Sequence, residues 1–142
     1  QVRYDGEPLF ASVQATWNLL ERSAEEALLA AAHEGWGEIV KEALANGRLT
    51  PRNDNPDFAD KFAALEAVAA RHGSTIDALA LAGVLARPWP SIVLSGAARV
   101  DHLQSNVRAL AVEWDDETEM ALADLVEAPE VYWQTRSNLD WN

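Results

Sequence analysis

The segment that most limits what this chain can become is Ser91-Ile92-Val93-Leu94-Ser95. Its apolar residues run on without a polar alternate. That is the pattern of a strand covered on both faces, as in a parallel sheet flanked by helices. Two more segments read as strands: Leu9 to Leu20, with Phe10, Val13, Thr16 and Trp17, and Trp36 to Glu42 around Ile39-Val40. Helical patterns separate the three. Ser23 and Glu26 form a capping box that opens a helix carrying Leu28 and Leu29 and ended by Gly35. Phe58, Phe62 and Leu65 fall at i, i+4 and i+7 on a helix capped by Asp57 and stopped at Gly73. Ser74 with Asp77 opens another, apolar on every face from Ile76 to Ala86, so it must be covered on more than one side. Pro88 and Pro90 end it. Helices are also predicted around Val100 to Leu110 and from Asp115-Asp116 through Val126, before an aromatic-rich tail after Pro129. Leu44 to Leu49 is a loop, since Asn46-Gly47 permits positive φ, and Thr50 to Asp57 is loop as well.

Strand and helix alternate in the order β-α-β-α-α-β-α-α, which predicts an α/β fold of parallel strands with helical crossovers. Here a difficulty arises. A three-stranded parallel sheet has two open edges and needs cover on both faces. At 142 residues the chain has room for one domain but too few strands to finish such a sheet. It reads as part of something larger.

Composition narrows the chemistry. Eleven Lys+Arg against 23 Asp+Glu leave a net charge of −12, which argues against a broad nucleic-acid or anionic-membrane surface. One small phosphate site stays compatible with that balance. With no cysteine, disulfides, thiolate catalysis and Cys-based zinc are excluded. The longest apolar run, Ala78 to Ala86, is far short of the roughly 20 residues that span a bilayer. Gln1 to Asp5 lacks the shape of a signal peptide, so a cytoplasmic setting is expected.

Four stretches, in order, carry a likeness: Phe10 to Leu20 (FASVQATWNLL), Leu44 to Leu49 (LANGRL), Ala78 to Ala82 (ALALA), and Val93 to Ala97 (VLSGA) leading to Leu103-Gln104-Ser105-Asn106. Together they resemble the second half of the aldo-keto reductases. The resemblance implies the C-terminal part of an eight-stranded (β/α) TIM barrel, namely strands six to eight with their helices and tail. It also implies a nicotinamide cofactor, NADP or alternatively NAD, a small carbonyl substrate, and a partner: the missing N-terminal half of the barrel or a second chain. The family's catalytic Asp, Tyr, Lys and His belong to the first four strands, so no catalytic residue is assigned here. The alternative reading is a non-catalytic half-barrel that assembles with itself or another subunit.

In such barrels ligands sit at the C-terminal strand ends, with phosphate held after strands seven and eight. Residue chemistry agrees. Ser95, Gly96 and Ala97 allow close backbone approach at a helix start, where the dipole favours an anion, and Arg99 adds a cation. These are expected to meet the adenosine phosphate; the plainer reading is a tight turn with an exposed Arg. By the resemblance, Gln14 holds the nicotinamide carboxamide, as an amide that both donates and accepts suits that task. Asn106 meets the adenine edge, with Gln104 and Ser105 beside it. His102 stands where an Arg is common near the 2′-phosphate, and is a cation only at lower pH. Leu44, Asn46 and Arg48 belong to the loop that folds over the pyrophosphate. Lys41 replaces the usual stacking aromatic; its ammonium suits a phosphate or carboxylate, while Glu42 beside it offers simple neutralisation. A Schiff-base lysine is the lesser reading of Lys41. Trp17 and Trp133 are candidates for the substrate wall, with Tyr132 and Trp141 also on the tail; pinning the tail to outer helices is the other role for the tail aromatics. His33 and His72 each precede a glycine that ends a helix, where a partial positive charge is favoured, and Asp115-Asp116-Glu117 reads as a helix start.

Overall fold

A computed structural model describes residues 2–139. Its frame is a three-stranded parallel sheet: β3 (Ser12–Thr16) pairs with β4 (Gly37–Lys41), and β4 pairs with β5 (Ile92–Val93). Ahead of it lies a small antiparallel hairpin, β1 (Arg3–Tyr4) and β2 (Glu7–Pro8), turned by Asp5 and Gly6 at positive φ. The hairpin was not legible in the sequence. The helices are α1 (Glu25–His33), α2 (Ala59–Arg71), α3 (Ile76–Leu85), α4 (Val100–Val107), α5 (Asp116–Ala121) and α6 (Pro129–Ser137). The strands are shorter than expected: β3 and β4 keep five residues each and β5 only two. The N–H groups of Ser91 and Leu94 still bond β4 carbonyls at 3.1 and 2.9 Å, extending β5's attachment beyond its two residues.

Period-two alternation splits the sheet into two faces. Val13, Ala15, Glu38, Val40 and Val93 lie on the face that packs against helices. Gln14, Ile39, Lys41 and Ile92 lie on the other. α3 fills the layer behind the sheet, and Ile76 to Val84 are all buried, as its all-round apolar sequence requires. One core cluster joins α2, α3 and α6 through Leu65, Leu79 and Tyr132; the other joins β4, α1 and α3 through Val40, Leu28 and Ala78.

The inner face is open at Gln14 and along β5, although Thr16 on the same face is buried. Ile92 is 53% and Leu94 44% exposed, although their segment is written for burial on both sides. Among the described residues nothing covers these two side chains on that face. In sum the fold is an α/β partial barrel.

Several helix starts differ from expectation. Ser23 does not cap α1; Glu21 Oε1 accepts the Ser23 N–H at 2.7 Å, and the N-cap Ala24 has no side-chain bond. Asp57 is likewise not a cap, since Asn55 Oδ1 accepts the Asp57 N–H at 3.0 Å and opens a 3₁₀ turn, Pro56–Phe58, ahead of α2. At α3 the N-cap is Thr75, and neither Ser74 nor Asp77 caps it. α5 stops at Ala121 rather than running through Val126, giving way to a 3₁₀ turn, Ala123–Leu125. The tail after Pro129 is itself a helix, α6, with Pro129 in its first turn.

Candidate functional site

At the C-terminal ends of β4 and β5 the surface sinks into two adjoining hollows. One, of about 440 Å³, is lined by Lys41, Asn46, Leu94, Arg136 and Leu139 among others. The second, of about 320 Å³, runs toward α3 and α4 between Thr75, Asp77, His102 and Asn106. Both are bordered by Leu44, Thr50, Arg52, Ser95 and Gly96, so they form one elongated cleft with a waist.

The waist is made by two turns whose backbones need unusual conformations. Gly96 sits at φ 63°, and no atom lies within 4 Å of where its Cβ would be, so the glycine answers to backbone geometry rather than crowding. In the Ala45–Gly47 turn, Ala45, Asn46 and Gly47 have φ of 48°, 55° and 91°, and Glu42 just before has 56°. Left-handed backbone at a non-glycine residue is costly and persists only where surroundings enforce it. Here they do. The Glu42 carbonyl accepts from Asn18 Nδ2 at 2.9 Å and from the Ala45 N–H at 2.8 Å, while its carboxylate pairs with Arg136 at 3.0 Å.

Lys41, Leu44, Asn46, Ser95, Gly96, Ala97, His102 and Asn106 all line the cleft. Asn106 is buried, and its Nδ2 donates to the Ser95 carbonyl at 3.1 Å, tying α4 to the turn after β5. Lys41 is not neutralised by Glu42, whose partner is Arg136. Gln14 lies exposed on the inner face opposite Ile39, outside the two hollows. Gln104 is exposed on α4 and also lies outside them.

Arg48, Arg99, Trp17 and Trp133, four of the expected residues, sit outside the two hollows. The Arg48 guanidinium is turned away from the cleft into a two-bond pair with Glu127, at 3.0 and 2.6 Å, over the rings of Phe58 and Tyr132. Arg99 is 70% exposed and pairs with Asp101 at 2.9 Å, which is the plainer reading of that turn. Trp17 is fully buried on the helix side, edge-on to Trp89 with centroids 5.7 Å apart, because the alternation that aims Gln14 inward aims Trp17 outward. Trp133 is 43% exposed and stands edge-on to Tyr132; the tail reaches the cleft through Arg136 and Leu139 instead. Trp141 lies outside the described residues. Burial pushes the Tyr132 phenol up to about 12, though Asn18 donates to its oxygen at 3.0 Å.

His33 ends α1 and His72 caps the end of α2, as expected of histidines placed there. Asp115 caps α5 through the Thr118 N–H at 2.7 Å, and hydrogen bonds from Arg71 hold its carboxyl well below the usual range. Arg52, Thr75 and Asp77 are cleft residues that sequence reasoning missed. Arg52 is exposed at the waist and forms no salt bridge among the described residues. A cation in the proline-bearing stretch directly after the Asn-Gly loop was the available signal.

The Aldo/keto reductase family model matches residues 1–127. The chain belongs to the aldo-keto reductase family. It is 30% identical to the aldo-keto reductase ausK of Emericella nidulans, over 79% of this chain and 33% of that protein. It is 29% identical to ausK of Aspergillus calidoustus, over 75% of this chain and 32% of that protein. The chain thus spans about a third of the length of these curated relatives. Among solved structures, it superposes on the thermostable aldo-keto reductase Tm1743, crystallised with the inhibitor epalrestat, with a TM-score of 0.63 at 25% identity. That match covers 79% of this chain and 38% of the other. The open sheet is therefore a section of an aldo-keto reductase barrel. Among the described residues, no helix is long and apolar enough to cross a membrane.

Proposed function

We propose that this chain supplies the nucleotide-binding section of a cytoplasmic NAD(P)H-dependent carbonyl reductase, acting with barrel strands outside it. The observation that carries this reading is the elongated cleft at the C-terminal strand ends, with the unpaired Arg52 guanidinium at its waist. Ligands of (β/α) barrels collect at that end of the strands. A dinucleotide is long, anionic at its middle and less charged toward its ends, which fits a two-chambered cleft with a cation between the chambers.

The residues present suit that ligand. Arg52 offers a planar fork of donors to the diphosphate. Gly96 and Ala97 let backbone come close without side-chain bulk. Lys41 and Gln14 face the side where the barrel would close, Gln14 to hold the carboxamide and Lys41 to contact a phosphate or carboxylate. His102 and Asn106 border the adenosine chamber. Since Arg99 is committed to Asp101, that chamber holds less free positive charge than the sequence suggests. The nicotinamide supplies the hydride when bound, and the group that protonates the carbonyl lies outside this chain.

Titration of the intact barrel with NADPH and NADH tests the reading. Arg52→Ala is expected to weaken either nucleotide about tenfold, the scale of one charge-assisted bond to phosphate. A barrel that contains the complementary strands, scatters light as a single species and binds neither nucleotide would leave the chain as a structural half-barrel.

A further inference from the structure

Basic side chains are scarce in this chain, and most of them are used. Acidic residues outnumber them 23 to 11, and Arg22, Arg48, Arg87 and Arg136, among others, are held in ion pairs. Lys41 is an exception. It is half-buried at the C-terminal end of β4 and lines the larger chamber of the cleft. Its ammonium has no hydrogen bond or ion pair among the described residues. Glu42, the only acidic side chain among the described residues lining that chamber, is engaged by Arg136 at 3.0 Å. An ammonium that has lost part of its hydration without gaining a counter-ion is stabilised by any anion that reaches it.

Position separates the two anions that could answer it, the cofactor's diphosphate and a group on the substrate. Arg52 borders both chambers at the waist, where the middle of a dinucleotide falls. Lys41 borders only the larger one, on the inner face of the sheet with Gln14. With adenosine in the smaller chamber, the larger one takes the nicotinamide ring, which carries no negative charge in either redox state. The anion is then left to the substrate. Ala43, Leu94 and Leu139 line the same chamber and give an apolar wall beside the cation. We infer that the carbonyl substrate is an aldehyde or ketone bearing a carboxylate, and that Lys41 Nζ holds that carboxylate; the inference rests on the nucleotide-binding reading above. The bond is charge-assisted on both sides, whereas an ester in the same place offers only a neutral acceptor. The carboxylate itself is unchanged in the reaction. The carbonyl carbon gains the hydride of NAD(P)H and its oxygen gains a proton, so an oxo acid leaves as a hydroxy acid. Lys41 thus sets specificity by gripping the end of the substrate that does not react.

The experiment measures kcat/KM of the intact barrel for two acid and ester pairs: 4-carboxybenzaldehyde and succinate semialdehyde, each against its methyl ester. In at least one pair the wild type is expected to prefer the acid about tenfold or more, the scale of one charge-assisted bond. Lys41→Met keeps most of the apolar stem and removes the charge, so the ratio of acid to ester should fall to near one. Lys41→Arg restores a cation and should restore much of the preference, which a purely structural role would not produce. Nucleotide affinity is read separately in each variant from tryptophan fluorescence, and circular dichroism checks the fold. A wild type without acid preference in either pair, or a ratio unchanged in Lys41→Met, overturns the role of Lys41 while the dinucleotide cleft stands. Equal losses on acid and ester, matched by weaker nucleotide binding, would put the ammonium on the cofactor's phosphate and overturn it as well. A wild type that binds neither NADPH nor NADH overturns the nucleotide reading and this inference together.

Discussion

Gly83 of α3 shows how little slack the layer behind the sheet has. A methyl group there would stand 2.7 Å from Leu19 Cδ2 and 2.8 Å from Trp114 Cη2. The indole cannot easily yield, because its Nε1 donates to Glu119 Oε2 at 2.8 Å and the Arg87 guanidinium sits over the ring. Burial pushes the Glu119 carboxyl up, but hydrogen bonds from Arg22, Arg87 and Trp114 outweigh this and hold it at about 2, so the anchor stays charged. Gly83→Ala should gain roughly 1 kcal/mol of helix propensity and lose about 1–3 kcal/mol to overpacking. The expected result is a net loss, read as a lower urea midpoint at unchanged slope. A midpoint equal to the wild type's would show that Trp114 is free to move. Sequence alone located Gly83 in a helix buried all round but could not name what presses on it, since Leu19 and Trp114 come from distant segments. At other residues the information was present. Had the period of two been carried through β3, Gln14 would have gone to one face and Trp17 to the other, away from any substrate.

The tail helix α6 and the residues just before it clamp the cleft from the side. Glu127 bonds Arg48 twice and takes a third bond from Lys61 Nζ at 2.8 Å, while its N–H donates to the Leu20 carbonyl at 2.8 Å. Arg136 then holds Glu42 beneath the left-handed turn. Burial pushes the Glu127 carboxyl up, yet the bonds from Arg48 and Lys61 prevail and leave it below its ordinary value. A carboxyl lowered in the folded state adds stability above its unfolded pKa, and this is lost as pH falls through the folded value. Acid should therefore loosen the clamp below about pH 4.5, where an unfolded glutamate takes up its proton. Glu127→Gln leaves the Arg48 charge mostly buried and incompletely paired, at a cost of about 3 kcal/mol at pH 7. It should also flatten the acid limb of a stability-against-pH curve; a limb as steep as the wild type's would mean that other carboxylates drive acid unfolding. The elements themselves were largely legible, since α2, α3 and the order of strands follow from periodicity and punctuation. α6 was missed although Pro129-Glu130 is an ordinary helix opening, because its aromatics suggested a tail. Arg48 was identified as a cation near the cleft, but its partner is 79 residues away and no local pattern gives that pairing.

On the scale of the molecule, unfilled surface is what the chain presents most plainly. β4 has a neighbour on each side, whereas β3 and β5 each leave one edge open among the described residues. Ile92 and Leu94 meet solvent on the inner face, and α4 exposes Val100, Leu103 and Val107 at i, i+3 and i+7 along one side. Singly exposed apolar residues are ordinary, but a bare strand face and a bare helix stripe on one small unit call for cover. This was legible beforehand in Ile92-Val93-Leu94, because a strand written for two covered faces and given one implies a second layer. Hydrogen exchange would measure the consequence. In the chain alone, the Ile39 and Val40 amides of β4 should be the most protected of the sheet, with the outward amides of β3 and β5 exchanging quickly. Supplied with the remaining barrel strands, those outward amides should slow by on the order of tenfold or more as they gain partners, while β4 changes little. Edges already protected in the isolated chain would mean that they are paired with one another in a second copy, and dilution would then restore fast exchange.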